Sequence, residues 1–187
     1  MEKIEFATEL KGERIVLRKY PNSLEHAKEA FAVMQDNIKK APKYISVPHD
    51  ISSPEEYFET IVKRGVSVFE SGDEMRYTIF LKEKFIGYIW AVKIDYKNKA
   101  CRIGYVLDYN HSGHGYMTEA CKTLEDYIFD VGFERIESGH AKNNLNSKGV
   151  LIRRNFTMEG TQRQLYNSDE HKDDFVMYSK LKSEWVK

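Results

Sequence analysis

Cysteine, proline and net charge are all scarce in this chain, and each scarcity closes a route. Cys101 and Cys121 are the only two cysteines among 187 residues. They form neither a CxxC pair nor a disulfide framework, and are expected as buried thiols without a chemical role. The four prolines, Pro21, Pro42, Pro48 and Pro54, all fall in the first third, where they punctuate loops. The 29 basic and 29 acidic residues cancel, so no overall field draws the chain to nucleic acid or to anionic lipid. No run approaches the roughly 18 uninterrupted apolar residues of a membrane helix. The opening MEKIEFATELKGERIVLRKY also lacks the apolar centre of a signal peptide. The expectation is a soluble, cytoplasmic protein with no nucleic-acid or membrane partner.

What is present is enough apolar material for a core. A hydrophobic content of 41% and an aromatic content of 13% suit one domain spanning 1–187 better than two. Glu13–Arg18 is a β-rich run. After Pro21, the residues Ala27, Ala30, Phe31 and Met34 recur at helical spacing. Ser53-Pro-Glu-Glu56 has the form of a capping box with proline at the first helical position, and it leads into Phe58, Ile61, Val62 and Phe69. Three β-branched and aromatic runs follow, Tyr77–Leu81, Phe85–Val92 and Cys101–Leu107, separated by charged turns, and predict an antiparallel meander. Ala120, Leu124, Ile128 and Val131 then mark a helix that Gly132 is placed to end in a left-handed conformation. A short strand at Arg135–Ser138, a helix starting near Ser147, and two strands near Phe156 and Phe175, joined by the polar run Asn167–Asp173, complete the order.

The resulting β-α-α-β-β-β-α-β-α-β-β series predicts an α/β (α+β) mixed sheet, mostly antiparallel, with one parallel pair forced by the strand-helix-strand unit. A strand end that feeds a helix at such a pair is a common ligand position. The segment lying there is Asn110-His-Ser-Gly-His-Gly-Tyr-Met-Thr-Glu-Ala120. Gly113 and Gly115 let the backbone turn sharply and present several amides to one anion, beside the positive end of the following helix. A plain tight turn would use the same glycines. A dinucleotide fingerprint fails, because Thr118 stands where a third glycine belongs and the loop lies mid-chain; a P-loop fails for want of Gly-Lys-Ser/Thr. A metal site would draw on His111, His114 and His140, but no carboxylate or thiolate completes the set, and none is expected. His114 is expected to lend its amide to the loop and leave its side chain free.

These residues resemble the GCN5-related N-acetyltransferases (GNAT), in particular the RimJ/RimL-like branch that acetylates N-terminal amines of ribosomal proteins. Gly113-His-Gly-Tyr-Met-Thr-Glu-Ala120 resembles the family's Gly-x-Gly-Tyr-x-Thr-Glu-Ala, with Asn110 departing from its Gln/Arg. Asn144-Leu-Asn-Ser147 resembles Asn-x-x-Ser. Val150–Phe156 with Glu159-Gly160 resembles Val-Leu-x-Lys-x-Gly-Phe and Glu-Gly, with Arg154 in place of lysine and Asn155 in place of glycine. The run Tyr178–Trp185 is similar to the branch's tail.

The resemblance implies a GNAT fold whose fourth and fifth strands splay around acetyl-coenzyme A. The pyrophosphate would lie on Gly113, His114, Gly115, Tyr116, Met117 and Thr118, and the pantetheine arm on the backbone of Tyr105, Val106 and Leu107. Asn144 would touch the cofactor, and Ser147 would sit near the sulfur. It implies an acetyltransferase working by direct attack of a primary amine. The acceptor would be a protein N-terminus or a small amine such as a polyamine or aminoglycoside, and a homodimer is a family-level expectation. A module that binds acetyl-coenzyme A without turnover is the alternative. Ser147 is the candidate proton donor to the thiolate; read without the family, it is a helix N-cap. Arg102 stands where the branch often has glutamate and cannot serve as a base at neutral pH. That task would fall to a water chain, another carboxylate or His140, with Arg102 itself either solvent-facing or a substrate contact. Tyr88, Trp90 and Tyr105 are expected as core or cleft wall, and Glu119 as a helix cap or ion-pair partner.

Overall fold

Eight strands share one mixed sheet in the computed structural model, which describes residues 1–44, 51–168 and 171–186. The strands are β1 (Glu9–Lys11), β2 (Ile15–Lys19), β3 (Met75–Leu81), β4 (Lys84–Asp95), β5 (Ala100–Leu107), β6 (Arg135–Ala141), β7 (Thr157–Ser168) and β8 (His171–Leu181). Their order across the sheet is β1-β2-β3-β4-β5-β6-β8-β7. Every neighbouring pair is antiparallel except β5 and β6. The sequence reading missed β1, a three-residue strand too short to show an alternation, so the expected fourth and fifth strands are β5 and β6. Pro48, assigned to a loop, and Asp169 and Glu170 of the last connector lie outside the described residues.

Helices cover both faces. Alternate residues of β4 divide between them: Ile89 and Ala91 join the apolar cluster under α4 (Tyr116–Asp130) and α5 (Leu145–Arg153), while Tyr88 and Trp90 join the cluster under α1 (Leu24–Lys40). Helix α1 starts at Ser23, whose hydroxyl accepts the His26 amide, and it buries His26, Ala27, Ala30, Met34 and Asn37. The next helix runs from α2 (Pro54–Tyr57) through a π-helical turn at Phe58–Val62 into α3 (Lys63–Glu70). Ser53 caps it as expected, accepting from the Glu56 amide at 3.2 Å. The reciprocal bond is shifted by one residue, with the Glu56 carboxylate taking the Ser52 amide at 2.9 Å.

The parallel pair positions the cleft. Its ladder has three rungs, Ala100 with Arg135, Cys101 with Ile136, and Arg102 with Glu137, and then stops. Beyond it the Ser138 hydroxyl donates to the Ile103 carbonyl at 3.1 Å, so a side chain replaces the backbone bond where the strands part. Behind the split lies a buried charge cluster. Glu125 of α4 is fully buried and accepts from both Nε and an Nη of Arg154 at 3.2 and 3.0 Å and from Lys180 of β8 at 3.0 Å. Asn155 follows with φ +57°, taking the left-handed position that the family pattern gives to glycine, a conformation asparagine tolerates.

Candidate active site

Helix α4 begins without a side-chain cap. Its N-cap is Gly115 at φ +82°, and Gly113 sits at φ +83°, conformations that cost glycine little and other residues about 1–2 kcal/mol. The two left-handed residues turn the chain so that the amides from Gly113 to Thr118 donate to no described residue; the first helical bond is Glu119 N to Gly115 O. Six adjacent amides without partners at a helix N-terminus make a strong anion site in physical terms. A side chain added at Gly113 would meet no atom within 4 Å, so φ, and not crowding, is the reason for glycine there.

Neighbouring residues brace the loop. Arg14 donates to the His114 carbonyl at 3.1 Å and lies 4.8 Å from the centre of the Tyr116 ring. Glu119 accepts from Arg14 Nε at 2.8 Å and from the amides of Arg14 and Ile15, tying α4 to β2. Burial alone would raise the Glu119 pKa, but these bonds outweigh it and hold the carboxylate below its usual range. Glu119 is thus a partner of the strand backbone rather than a helix cap. The His114 ring is not free as expected: it stacks on Tyr116, 5.8 Å between centroids and 19° between planes. Upstream, Asp108 accepts from the Asn110 amide at 3.0 Å and contacts His111 Nδ1 at 2.7 Å. Among the described residues no group of three or more His, Cys, Asp or Glu could hold a metal ion.

A cleft of about 690 Å³ opens beside this loop. All eleven residues singled out for cofactor contact line it: Tyr105, Val106 and Leu107 from β5, Gly113 to Thr118 from the loop and α4, and Asn144 and Ser147 from α5. Asn144 caps α5, its side-chain oxygen accepting the Ser147 amide at 3.1 Å. This corrects the cap reading of Ser147, because the cap position is already filled. The Ser147 hydroxyl instead lies 3.0 Å from the Tyr105 hydroxyl. Burial pushes the Tyr105 phenol far above its ordinary pKa, so it stays protonated.

Beyond Arg14, sequence reasoning missed three contributors. Asn37, 1% exposed, donates to the Leu107 carbonyl and accepts from the Tyr109 amide, both at 2.8 Å, and so pins the end of β5 to α1. The available signal was its place three residues after Met34 on the apolar stripe of α1, where a polar side chain needs a buried partner. Arg153 reaches Thr118 Oγ1 at 3.2 Å and, with Arg14, sets positive charge at both sides of the loop. The third is the Tyr105 hydroxyl.

On the opposite face, Trp90 packs on Gly104, where an added Cβ would lie 2.5 Å from the indole nitrogen. Arg102 is half-buried: one Nη donates to Glu137 at 3.0 Å across the last ladder rung, and its Nε has no partner among the described residues. Glu137 also takes Arg135, so this carboxylate is committed to two cations. His140 is 3% exposed, its Nδ1 sits 2.8 Å from the Ala141 carbonyl and its Nε2 has no partner among the described residues; it does not line the cleft. Cys101 and Cys121 are buried. Burial pushes the Cys101 thiol up to about 12 and holds the Cys121 thiol well above its ordinary value, which removes both as nucleophiles near neutral pH. No helix among the described residues is long and apolar enough to cross a membrane.

Residues 14–157 match the family described as acetyltransferase (GNAT) domain. The chain belongs to the GNAT acetyltransferases. It is an N-acetyltransferase, and acetyl-coenzyme A is its acetyl donor. The ribosomal-protein-serine acetyltransferase of Escherichia coli strain K12 is 26% identical over 83% of this chain and 87% of its own. Among solved structures, the RimL ribosomal L7/L12 alpha-N-protein acetyltransferase in complex with coenzyme A superposes with a TM-score of 0.85 at 23% identity, covering 92% of this chain and 97% of that one. The microcin C7 self-immunity acetyltransferase MccE, in complex with acetyl-CoA and AMP, gives 0.83 at 25% identity over 90% and 93%. The GNAT fold, with its single parallel strand pair, is therefore shared with these proteins.

Proposed function

We propose that the cleft holds acetyl-coenzyme A with its pyrophosphate on the amides of Gly113 to Thr118 and its pantetheine arm along Tyr105, Val106 and Leu107, and that the acetyl group passes directly to the primary amine of a protein N-terminus. The observation that carries this reading is the run of six amides, without partners among the described residues, opening into the same cleft as the edge of β5 that parts from β6 beyond Arg102. The residues present fit the donor: a doubly charged pyrophosphate answers the amides, the helix end and the flanking Arg14 and Arg153, while an extended amide-bearing arm answers the strand edge that β6 leaves.

Acetyl-coenzyme A supplies an activated acetyl group and a thiol leaving group. The chain's own residues then have few tasks. Holding the amine against the thioester replaces much of the entropy cost of a two-body encounter, so no covalent enzyme intermediate is needed, in keeping with two buried thiols. Ser147 Oγ, on the cleft wall and not consumed by capping, would hand a proton to the departing sulfur. The protein-N-terminus acceptor is supported by the name of the E. coli relative, a ribosomal-protein-serine acetyltransferase. Arg102, paired with Glu137, occupies the position of the branch's glutamate, so the proton of the amine leaves through another group.

Thiol release from acetyl-coenzyme A, followed across peptides beginning with Ser, Ala or Met, spermidine and kanamycin, separates these readings. Acceptor-dependent release with a peptide is expected; release with spermidine or kanamycin and with no peptide would overturn the protein-N-terminus acceptor. Gly115→Val, which forces a β-branched residue to positive φ and brings a Cβ to 3.4 Å from Arg14, should weaken acetyl-coenzyme A binding by about 100-fold. Unchanged affinity in calorimetry would overturn the loop assignment.

A further inference from the structure

Two hydroxyl groups meet across the cleft, one from each wall. Tyr105 Oη of β5 lies 3.0 Å from Ser147 Oγ and 3.3 Å from the Ser147 carbonyl oxygen of α5. Each hydroxyl owns one proton and can accept others, so the pair has two self-consistent arrangements. In the first, the serine donates to the tyrosine, the tyrosine donates to the Ser147 carbonyl, and neither proton reaches the cleft. In the second, the tyrosine donates to Ser147 Oγ, and the serine proton is free for a third partner.

We propose that Tyr105 is the positioning residue for proton donation: its hydroxyl moves its hydrogen bond from the Ser147 carbonyl to Ser147 Oγ and so directs the serine proton at the sulfur of the departing coenzyme A. The proposal rests on the reading of Ser147 as proton donor and adds a residue from the other wall. Three features favour it. The bond to the carbonyl, at 3.3 Å, is long and cheap to exchange. The backbone of Ser147 is fixed by Asn144, so the change needs only two hydroxyl rotations. The Tyr105 ring packs against the apolar cluster under α4, which holds its oxygen in place while the hydrogen turns.

The protons balance. As the new C–N bond forms and the C–S bond breaks, Ser147 Oγ gives its proton to the sulfur and recovers, through solvent, the one that the acceptor nitrogen sheds. Tyr105 ends with the proton it began with, as a buried phenol must.

Binding reads the sulfur contact without turnover. Affinities of coenzyme A and of its desulfo analogue are compared at pH 9, where part of a free alkyl thiol is ionised and a hydrogen-bond donor at the sulfur draws it toward the thiolate, for the wild type, Tyr105→Phe and Ser147→Ala. The wild type should favour coenzyme A by about tenfold, the strength of one charge-assisted hydrogen bond. Both variants should fall to within about twofold while binding the desulfo analogue as the wild type does. Tyr105→Phe keeping the preference would sink the role of Tyr105 and leave Ser147 standing; Ser147→Ala keeping it would sink the serine reading itself. Loss of affinity for both ligands alike would mark Tyr105 as structural only. In turnover with a Ser-initiated peptide, Tyr105→Phe should lower kcat about tenfold with little change in KM, and should have no further effect when Ser147 is already alanine. An equal drop in both backgrounds would overturn the proposal.

Discussion

Two polar regions of α4 stand about two turns apart and obey opposite rules. Around Glu125 every charged group has a hydrogen-bond partner: one fully buried carboxylate takes Arg154 and Lys180, joining α4, the end of α5 and β8. At the start of the same helix the amides of Gly113 to Thr118 donate to nothing described. A buried charge without partners would cost several kcal/mol, so the interior must complete its bonds. The helix N-terminus faces a cleft, can be satisfied by water or by ligand, and keeps its donors available. Where bonding is complete the molecule is holding itself together; where it is withheld, it is prepared to hold something else.

Breaking the complete region should give the largest effect. Glu125→Ala leaves Arg154 and Lys180 facing a hole, and should destabilise the protein by about 3–5 kcal/mol, a fall of roughly 10 °C in the thermal midpoint. Below that midpoint, acetyl-coenzyme A affinity should stay within about threefold of wild type. A variant that unfolds no earlier, or one that binds poorly while fully folded, would erase the contrast.

Asn37→Ala tests the border between the regions, since Asn37 serves the fold and the cleft edge at once. Removing its two bonds should cost about 1–3 kcal/mol, divided between stability and an acetyl-coenzyme A affinity about tenfold weaker. Calorimetry that found the entire cost in stability would show that the end of β5 keeps its course without α1.

The smallest expected effect lies on the other face. Burial lowers the His26 pKa from 6.5 to about 4, and its Nε2 lies 2.9 Å from the Tyr88 hydroxyl. The unfolded chain therefore takes up this proton at a higher pH than the folded one. Stability from this residue is complete above about pH 6.5 and declines as the pH falls toward 4, by about 1 kcal/mol between pH 6.5 and pH 5.5. Denaturant midpoints across that range should show the decline, and His26→Gln should flatten it; an equal slope in the variant would assign the acid sensitivity elsewhere.

Much of the cleft was legible because backbone sites leave a simple record. Paired glycines before an apolar helical stripe specify a turn of amides whatever the surrounding fold, and the β-branched run Cys101–Leu107 specifies the strand that meets it. The eleven positions that the family resemblance assigned to the cofactor, Asn144 and Ser147 among them, all line one cleft. Side-chain pairings leave no such record. Asn37 meets Leu107 across 70 positions, Arg154 meets Glu125 across 29 and Tyr105 meets Ser147 across 42, and only the fold decides those meetings. Ser147 was misread as a possible cap for a related reason: two capping-type residues stood three apart, and local pattern could not rank Asn144 above it.

The packing of Trp90 on Gly104 also equips the molecule with an optical probe. The chain has two tryptophans, and the sheet separates them: Trp90 borders the cluster under α1, next to the parting strands, while Trp185 packs at a tilt against Phe129 with the α4 cluster. A ligand that reaches the Trp90 face should change the emission of one indole and leave the other as an internal standard, so that fluorescence reports on which side of the sheet an acceptor binds.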